Sequence, residues 1–427
     1  MKKNLIDEMI ETRRTIHKMP EEGWTEFETT YLVYQRLKSL GYTDIRLGTQ
    51  IINPEFVMGR DEVIVEAAIK RSVSHGVPLD FIENKLQRYT GCIAVLNTNR
   101  PGPTTALRFD MDCNPVQETA DPEHLPNKLH FASEHPGYMH ACGHDAHTAV
   151  GLAVARWAME NIEQLRGTIK FIFQPSEEGV RGAVSIVKSG ILDDVNIIMA
   201  GHCGGISKLT EVGLTHRGMM ASTKFDIRFK GTPSHTGNAP HKGHSALLAA
   251  SATAMMLVGI TRHGDGASRI AVGRMTAGEG RNVTPVNAYI QGEVRGETAE
   301  INDFMMDKVR KIVEGNAFAY EVEASIKIVG QATTLPECPK LLDDIREIAQ
   351  SIPSISKIHE LTIPSGSEDY THMMRRVVDK GGQAAFWRWG CNHHGHHRGD
   401  FDIQDTVSMP IAFEVTQRFI SKTNGIL

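Results

Sequence analysis

The sequence predicts a two-domain α/β protein: residues 1–217 and 331–427 form the larger domain, and a smaller α+β domain is inserted at 218–330. Three observations predict it. The 427 residues, 41% of them hydrophobic, exceed what one ordinary compact core holds and suit about two domains. In the first half, apolar strand-like runs alternate with helix-like segments and end in clusters of polar residues, the rhythm of an α/β sheet. Near Gly218 the pattern changes to short alternating strands around two helices.

In order along the chain, Leu5, Met9 and Ile16 recur at helical spacing over residues 5–19 until Pro20 stops them. A second helix is expected over 26–40, ended by Gly41. Residues 61–90 read as a charged, helix-like insertion lying on the surface near the site, with Val63, Val65, Ala67, Ala68, Val73, Phe81, Ile82 and Leu86 as its apolar positions. Strands follow at 92–96, 105–109 and 168–173, with a helix over 149–159 between the last two. In open α/β sheets ligands bind beyond the carboxyl ends of the strands, where the polar motifs of this chain fall. In the second domain, alternation over 225–230, a Gly/Pro/His loop to Gly243, a helix over 245–260, strands near 270–272 and 289–294, a helix over 302–318 and a strand over 324–329 give a β-α-β-β-α-β order. That order is ferredoxin-like.

Composition narrows the function. The formal net charge of −5 offers no electrostatic case for a nucleic-acid or anionic-membrane partner, so a small polar substrate is expected. No run approaches the roughly 20 apolar residues of a membrane helix, and the charged N-terminus is not a signal core, which suggests a cytoplasmic protein. The six cysteines show no regular spacing, so reduced thiols are expected.

The chemistry concentrates in His140-Ala141-Cys142-Gly143-His144-Asp145-Ala146-His147 and in Gln174-Pro175-Ser176-Glu177-Glu178-Gly179. Thiolate, imidazole and carboxylate are the donors that hold zinc and its divalent neighbours, and paired glutamates can supply one ligand and one base. Cys142 and His144 share a side only on extended backbone, so a metal role requires a loop there. Gly143 gives that loop its freedom, and Asp145 is expected to cap the helix that follows. Asp110 and Asp112 stand at a strand end with one residue between them, so both carboxylates can face the same way, although a pair of turn aspartates would look alike. Adjacent residues on extended backbone point apart, which gives Glu177 and Glu178 different jobs without saying which is the base. His202 follows another apolar run, the tail His393-His394-Gly395-His396-His397 offers distant donors, and His235 lies in the glycine-rich loop of the second domain. A functional His235 would require domains or subunits to close over substrate.

These motifs resemble the M20 metallopeptidase and amidohydrolase family, in the branch that includes hippurate hydrolases and auxin-conjugate amidohydrolases, over nearly the whole chain. Within that branch the insertion at 50–90, Arg100-Pro101-Gly102-Pro103, Thr223-Lys224-Phe225-Asp226 and Pro364-Ser365-Gly366-Ser367-Glu368-Asp369 most resemble the subgroup that cleaves p-aminobenzoyl-glutamate. The resemblance implies a mixed-sheet, metallo-exopeptidase-like catalytic domain with a lid or dimerisation domain inserted. It implies two divalent ions, zinc or manganese, with Cys142, His144, Glu178, His202 and His397 as ligands, the last because it precedes Phe401-Asp402. Glu177 matches the general base and Asp112 the carboxylate that orients the metal centre. His235, Asn282 and Arg295 match substrate or oxyanion contacts, His235 serving the site of a partner protomer. The expected activity is hydrolysis of an N-acyl amino acid amide, p-aminobenzoyl-glutamate first. The alternatives are hippurate-like conjugates, dipeptides, or a non-catalytic role beside a catalytic partner chain. The expected assembly is a homodimer or a hetero-oligomer with a related second subunit. The chain departs from the branch pattern at Asp112-Cys113-Asn114-Pro115, where Asp-Ala-Leu-Pro is usual, and in the histidine-rich stretch before His397.

Overall fold

A computed structural model describes residues 3–205, 208–362 and 366–426; Pro364 and Ser365 of the quoted motif lie outside the described residues. The strands are β1 (Asp44–Leu47), β2 (Cys92–Asn97), β3 (Thr104–Asp110), β4 (Thr168–Gln174), β5 (Ile197–Cys203), β6 (Glu211–Thr215), β7 (Ala221–Lys230), β8 (Ser268–Ala277), β9 (Asn287–Gly296), β10 (Glu323–Ala332), β11 (Lys357–Leu361) and β12 (Gln383–Trp389). The helices are α1 (Lys3–Lys18), α2 (Phe27–Ser39), α3 (Glu62–Ser74), α4 (Leu125–Lys128), α5 (His144–Glu160), α6 (Ala183–Lys188), α7 (Ala246–Val258), α8 (Ala299–Ala319), α9 (Pro339–Gln350), α10 (Tyr370–Asp379) and α11 (Asp405–Asn424). Among the described residues no helix is long and apolar enough to cross a membrane.

Residues 1–217, 335–363 and 369–427 form one compact unit; residues 218–334 and 364–368 form the other. The expected return at 330/331 falls inside β10, which runs on to Ala332. The second unit also takes in 366–368, where Gly366 bridges to Met219 and Ser367 Oγ donates to the Met220 carbonyl.

The first unit is built on a mixed eight-stranded sheet in the order β1-β2-β4-β3-β5-β12-β6-β11. Its centre is parallel: β3 pairs with β4 and β5, and β5 with β12, all in the same direction. Their carboxyl ends therefore open on one edge of the sheet. β3 and β4 are buried at every position after the first, as expected of strands covered on both faces. α5 packs against β3 and is flanked by α1 and α11.

The second unit is an antiparallel sheet, β10-β7-β9-β8, with α7 and α8 packed on it. Phe225, Ile227 and Phe229 on β7, Ile290 and Val294 on β9, and Met305, Val309 and Val313 on α8 form its core. Alternation along β7 sends Arg228 and Lys230 to solvent, the period-2 pattern of a half-buried strand.

Candidate metal centre

The parallel edge delivers the candidate residues. β3 ends at Asp110, two residues before Asp112; β4 runs into the turn that carries Glu177 and Glu178; His202 is the penultimate residue of β5. Cys142 and His144 bracket Gly143, which sits at φ 82° as the N-cap of α5. A Cβ there would lie 2.2 Å from Cys203 Sγ, so only glycine fits. The expected loop is thus a single left-handed residue, and α5 starts five residues earlier than the periodicity suggested. Asp145 is not its cap: it lies inside the first turn, where Arg13 Nε donates to it at 2.7 Å and His17 Nδ1 lies 2.8 Å away. Glu177 and Glu178 occupy a turn rather than extended backbone, because Ser176 adopts φ 56° and the Val180 amide donates to the Glu177 carbonyl.

Two trios of donor atoms share Cys142. The donors of Cys142, His144 and His202 lie within 4.8 Å of one another, and so do those of Cys142, Glu178 and His397. His397 is brought there by its amide, which donates to the Ala141 carbonyl at 2.8 Å, and it holds φ 60°, a strained conformation of the kind that clusters at functional sites. Glu177 joins His144 and Glu178 in a third group, its Oε2 3.9 Å from His144 Nε2. Further groupings combine His147 with Asp110 and His144, and with His202 and Cys203. These do not offer an ion site, because His147 Nε2 already accepts the Cys203 amide at 3.0 Å and Nδ1 faces Asp110 at 2.5 Å.

The residues of the two trios fit divalent cations. His144 Nδ1 lies 3.2 Å from Asp112 Oδ1, and His202 Nδ1 donates to the Cys203 carbonyl at 2.7 Å. Each bond turns the Nε2 lone pair inward, the tautomer control seen around metal-bound histidines. His144 Nε2 is buried, has no hydrogen-bond partner among the described residues and belongs to the first trio, which makes it a candidate donor atom. Burial, then the charge of Glu178, pushes the Cys142 thiol up; a bound divalent cation reverses that preference by favouring the thiolate. Burial would raise Glu178, but the His397 hydrogen bond and the charges of His144 and His397 hold it at about 2. His397 rises to about 10 through its hydrogen bonds to Cys142 and Glu178. In the absence of an ion, the His397 imidazolium and the Cys142 proton stand beside the Glu178 carboxylate, and a bound cation would displace those protons.

Asp112 is fully buried and accepts the Glu177 amide at 3.0 Å and the Glu178 amide at 2.8 Å besides facing His144. It ties the Glu177 and Glu178 amides and the His144 tautomer to one carboxylate. Asp110 instead takes Arg108 Nη1 at 2.6 Å and faces His147, so the two aspartates serve different partners. Behind them Arg108 and Gln174 both donate to Asp369, which also accepts the amides of Gly182 and Ala183. Sequence reasoning assigns Glu26 no role and names His147 and Asp369 only inside longer motifs, without one. Their partners lie 150, 37 and 195 residues away, and no local spacing signals such pairings.

The lid candidates belong to the second unit and do not form one group there. His235 bridges to Val283, and the Thr236 amide donates to the Asn282 carbonyl, which makes His235 and Asn282 neighbours. His235 is exposed, and its Nδ1 accepts the amides of Gly237 and Asn238, so Nε2 carries the proton. Arg295 stands near the far end of β9, about 26 Å of extended strand beyond Asn287. It donates twice to Glu293, at 2.9 and 3.2 Å.

A mixed sheet whose parallel carboxyl edge gathers thiol, imidazole and carboxylate donors beside a second glutamate defines a metal-dependent hydrolase. The chain belongs to peptidase family M20/M25/M40, whose family model matches residues 106–422. It is 43% identical, over 94% of its length and 95% of the relative's, to a Haemophilus influenzae homolog of one of the subunits of p-aminobenzoyl-glutamate hydrolase. It is 40% identical to the indole-3-acetyl-aspartic acid hydrolase of Enterobacter agglomerans, covering 96% of this chain and 95% of that one. Among solved structures it is similar to the aminobenzoyl-glutamate utilization protein of Klebsiella pneumoniae, with a TM-score of 0.84 at 35% identity, covering 98% and 96% of the two chains.

Proposed function

We propose that this chain hydrolyses the amide of p-aminobenzoyl-glutamate to p-aminobenzoate and glutamate, with Glu177 as general base and Cys142, His144, Glu178, His202 and His397 holding two divalent ions. The observation that carries the chemistry is the pair of donor trios sharing Cys142, with the Glu177 carboxylate 3.9 Å from His144. The acyl group and amino acid rest on the relatives named above. When bound, the ions supply Lewis-acid polarisation of the amide carbonyl and a water acidified towards neutrality. Glu177 removes a proton from the attacking water as the new carbon–oxygen bond forms, then delivers it to the amine as the carbon–nitrogen bond breaks. Asp112 keeps Glu177 and Glu178 in register by holding their amides. His235 Nε2–H, reaching the site of a partner protomer, is the oxyanion donor, and Asn282 lies beside it. Arg295 grips a substrate carboxylate once it exchanges its bond to Glu293.

Zinc is the favoured ion because of the thiolate, with manganese accepted by the oxygen and imidazole donors. Six unpaired cysteines suit the cytoplasm, and the partner is an identical chain or a related second subunit. A second reading follows from the Enterobacter agglomerans relative, whose named substrate joins an aromatic acyl group to aspartate instead of glutamate.

The test loads the purified chain with zinc or manganese and compares p-aminobenzoyl-glutamate, indole-3-acetyl-aspartate, hippurate and a dipeptide. Preferential release of p-aminobenzoate is expected, and Glu177→Ala should lose about 10²–10⁴-fold in kcat while keeping its metal. Retained activity in that variant sinks the base assignment; preference for the indole conjugate replaces the substrate. Metal bound without turnover of any of the four points to a missing partner chain.

A further inference from the structure

We infer that Glu26 is a positioning residue for the general base: its carboxylate holds the left-handed turn at Ser176 and so aims Glu177 at the metal centre. This rests on the reading of Glu177 as the base.

Glu26 stands at the N-cap position of α2, but its side chain does not cap the helix. It is completely buried and turns towards the β4 turn, where Oε1 accepts the Ser176 amide at 2.7 Å. Oε2 accepts Thr90 Oγ1 at 2.6 Å, which fixes the carboxylate from the other side. With Asp112 accepting the next two amides, two carboxylates hold three consecutive N–H groups, those of Ser176, Glu177 and Glu178. Asp112 also touches His144, whereas the side-chain oxygens of Glu26 are engaged by Ser176 and Thr90; its influence on the centre runs through the backbone of the turn.

The turn needs such a hold. Ser176 sits at φ 56°, where an L residue with a side chain is disfavoured and persists only when its surroundings over-determine it. The Ser176 hydroxyl does not supply the hold, since its Oγ is buried and has no hydrogen-bond partner among the described residues. The backbone of residue 23 passes close by: a Cβ on Gly23 would lie 2.4 Å from Ser176 Oγ and 2.9 Å from its Cα, so glycine there makes room for the turn. The hydrogen bond that the Ser176 N–H donates to Glu26 Oε1 is the polar restraint at this residue's amide. If the turn relaxed towards negative φ, the direction of the next side chain, Glu177, would rotate with it. Burial and then the charge of Asp112 push the Glu26 carboxyl up, and glutamine keeps an acceptor oxygen for the Ser176 amide.

The arrangement makes a prediction that general core packing does not. Glycine adopts positive φ without strain, and replacing Ser176 by glycine removes no hydrogen bond. Ser176→Gly should therefore be nearly silent alone and should restore part of the activity lost in Glu26→Ala, because it removes the need for the restraint.

The experiment measures kcat, KM and metal content for the metal-loaded wild type, Glu26→Ala, Glu26→Gln, Ser176→Gly and the Glu26→Ala/Ser176→Gly double variant. It uses whichever of the four substrates above the wild type turns over. The expected result is a fall of about 10–100-fold in kcat for Glu26→Ala with KM and metal content held. Glu26→Gln should stay close to wild type, because its amide oxygen still accepts the Ser176 N–H and its NH₂ can donate to Thr90. The double variant should recover towards wild type. A folded Glu26→Ala enzyme with wild-type kcat, or a double variant no better than Glu26→Ala, overturns the inference. Amide hydrogen exchange on the wild-type protein needs no variant to fold and no turnover: protected amides at 176–178 are expected, and fast exchange there also overturns it. If the metal-loaded wild type hydrolyses none of the substrates, the reaction calls for a partner chain or another substrate, and the exchange result alone decides the clamp.

Discussion

Asp112 shows how much one buried carboxylate can set. Its two oxygens receive two backbone amides and face one imidazole, so no neutral replacement serves all three. Asp112→Asn keeps one acceptor oxygen and places an NH₂ against a group that must also donate. We expect about 10–100-fold weaker metal retention, read by competition with a chelator, and a parallel loss of kcat. Wild-type retention in that variant would remove Asp112 from the orienting role. The sequence made this residue conspicuous because it stands two residues beyond Asp110 at the end of an apolar run. It could not separate the two: Asp110 answers to Arg108 and His147, Asp112 to the β4 turn, and both sets of partners come from other elements. The same limit explains Asp145. Its type and place suit an N-cap, but a buried arginine and histidine 132 and 128 residues away in sequence claim its carboxylate, and Gly143 takes the cap.

At the scale of elements, β3, β4, β5 and the strands of the second unit were legible because apolar runs or strict alternation mark them locally. β6, β11 and β12 were not, since their place in the sheet is set by pairing with distant strands, as when β12 lies between β5 and β6. The joint between α1, α5 and α11 was equally hidden. Arg13 on α1 is fully buried and reaches Asp145 on α5, Asp402 just before α11 and Asp405 on it. Beside it His17 lies between Asp145 and Glu118, at 2.8 and 3.1 Å. Burial and the charge of Arg13 would lower His17, but the hydrogen bonds to Asp145 and Glu118 prevail and raise it to about 9. A histidine whose folded value lies above its ordinary 6.5 gives stability that is complete below pH 6.5 and is lost as the pH rises through about 9. The thermal midpoint should therefore fall across that window, and His17→Gln should lower it at pH 6 while flattening the fall. An unchanged slope in the variant would show that other groups govern the alkaline limb.

For the whole molecule the metal centre is a long-range staple. Its candidate donors come from positions 142, 144, 178, 202 and 397, all within the first unit, which the second unit interrupts in sequence. All four tryptophans, Trp24, Trp157, Trp387 and Trp389, also belong to the first unit, so tryptophan fluorescence follows that unit alone as it melts. An ion that binds only the folded centre stabilises it by mass action, about 2.7 kcal/mol at a hundredfold excess over Kd. Without the ion, His144 Nε2 remains buried and unpartnered, and the cost of that unmet polar atom adds to the loss. A chelator should thus lower the fluorescence-detected midpoint by several degrees, and added zinc should restore it in proportion to the logarithm of free ion. Cys142→Ser, which weakens the donor common to both trios, should blunt the response, whereas Glu177→Ala should leave it intact because the base is not among the proposed ligands. A midpoint indifferent to both chelator and zinc would mean that the donors close on one another without an ion, and the two trios would then be packing rather than a metal centre.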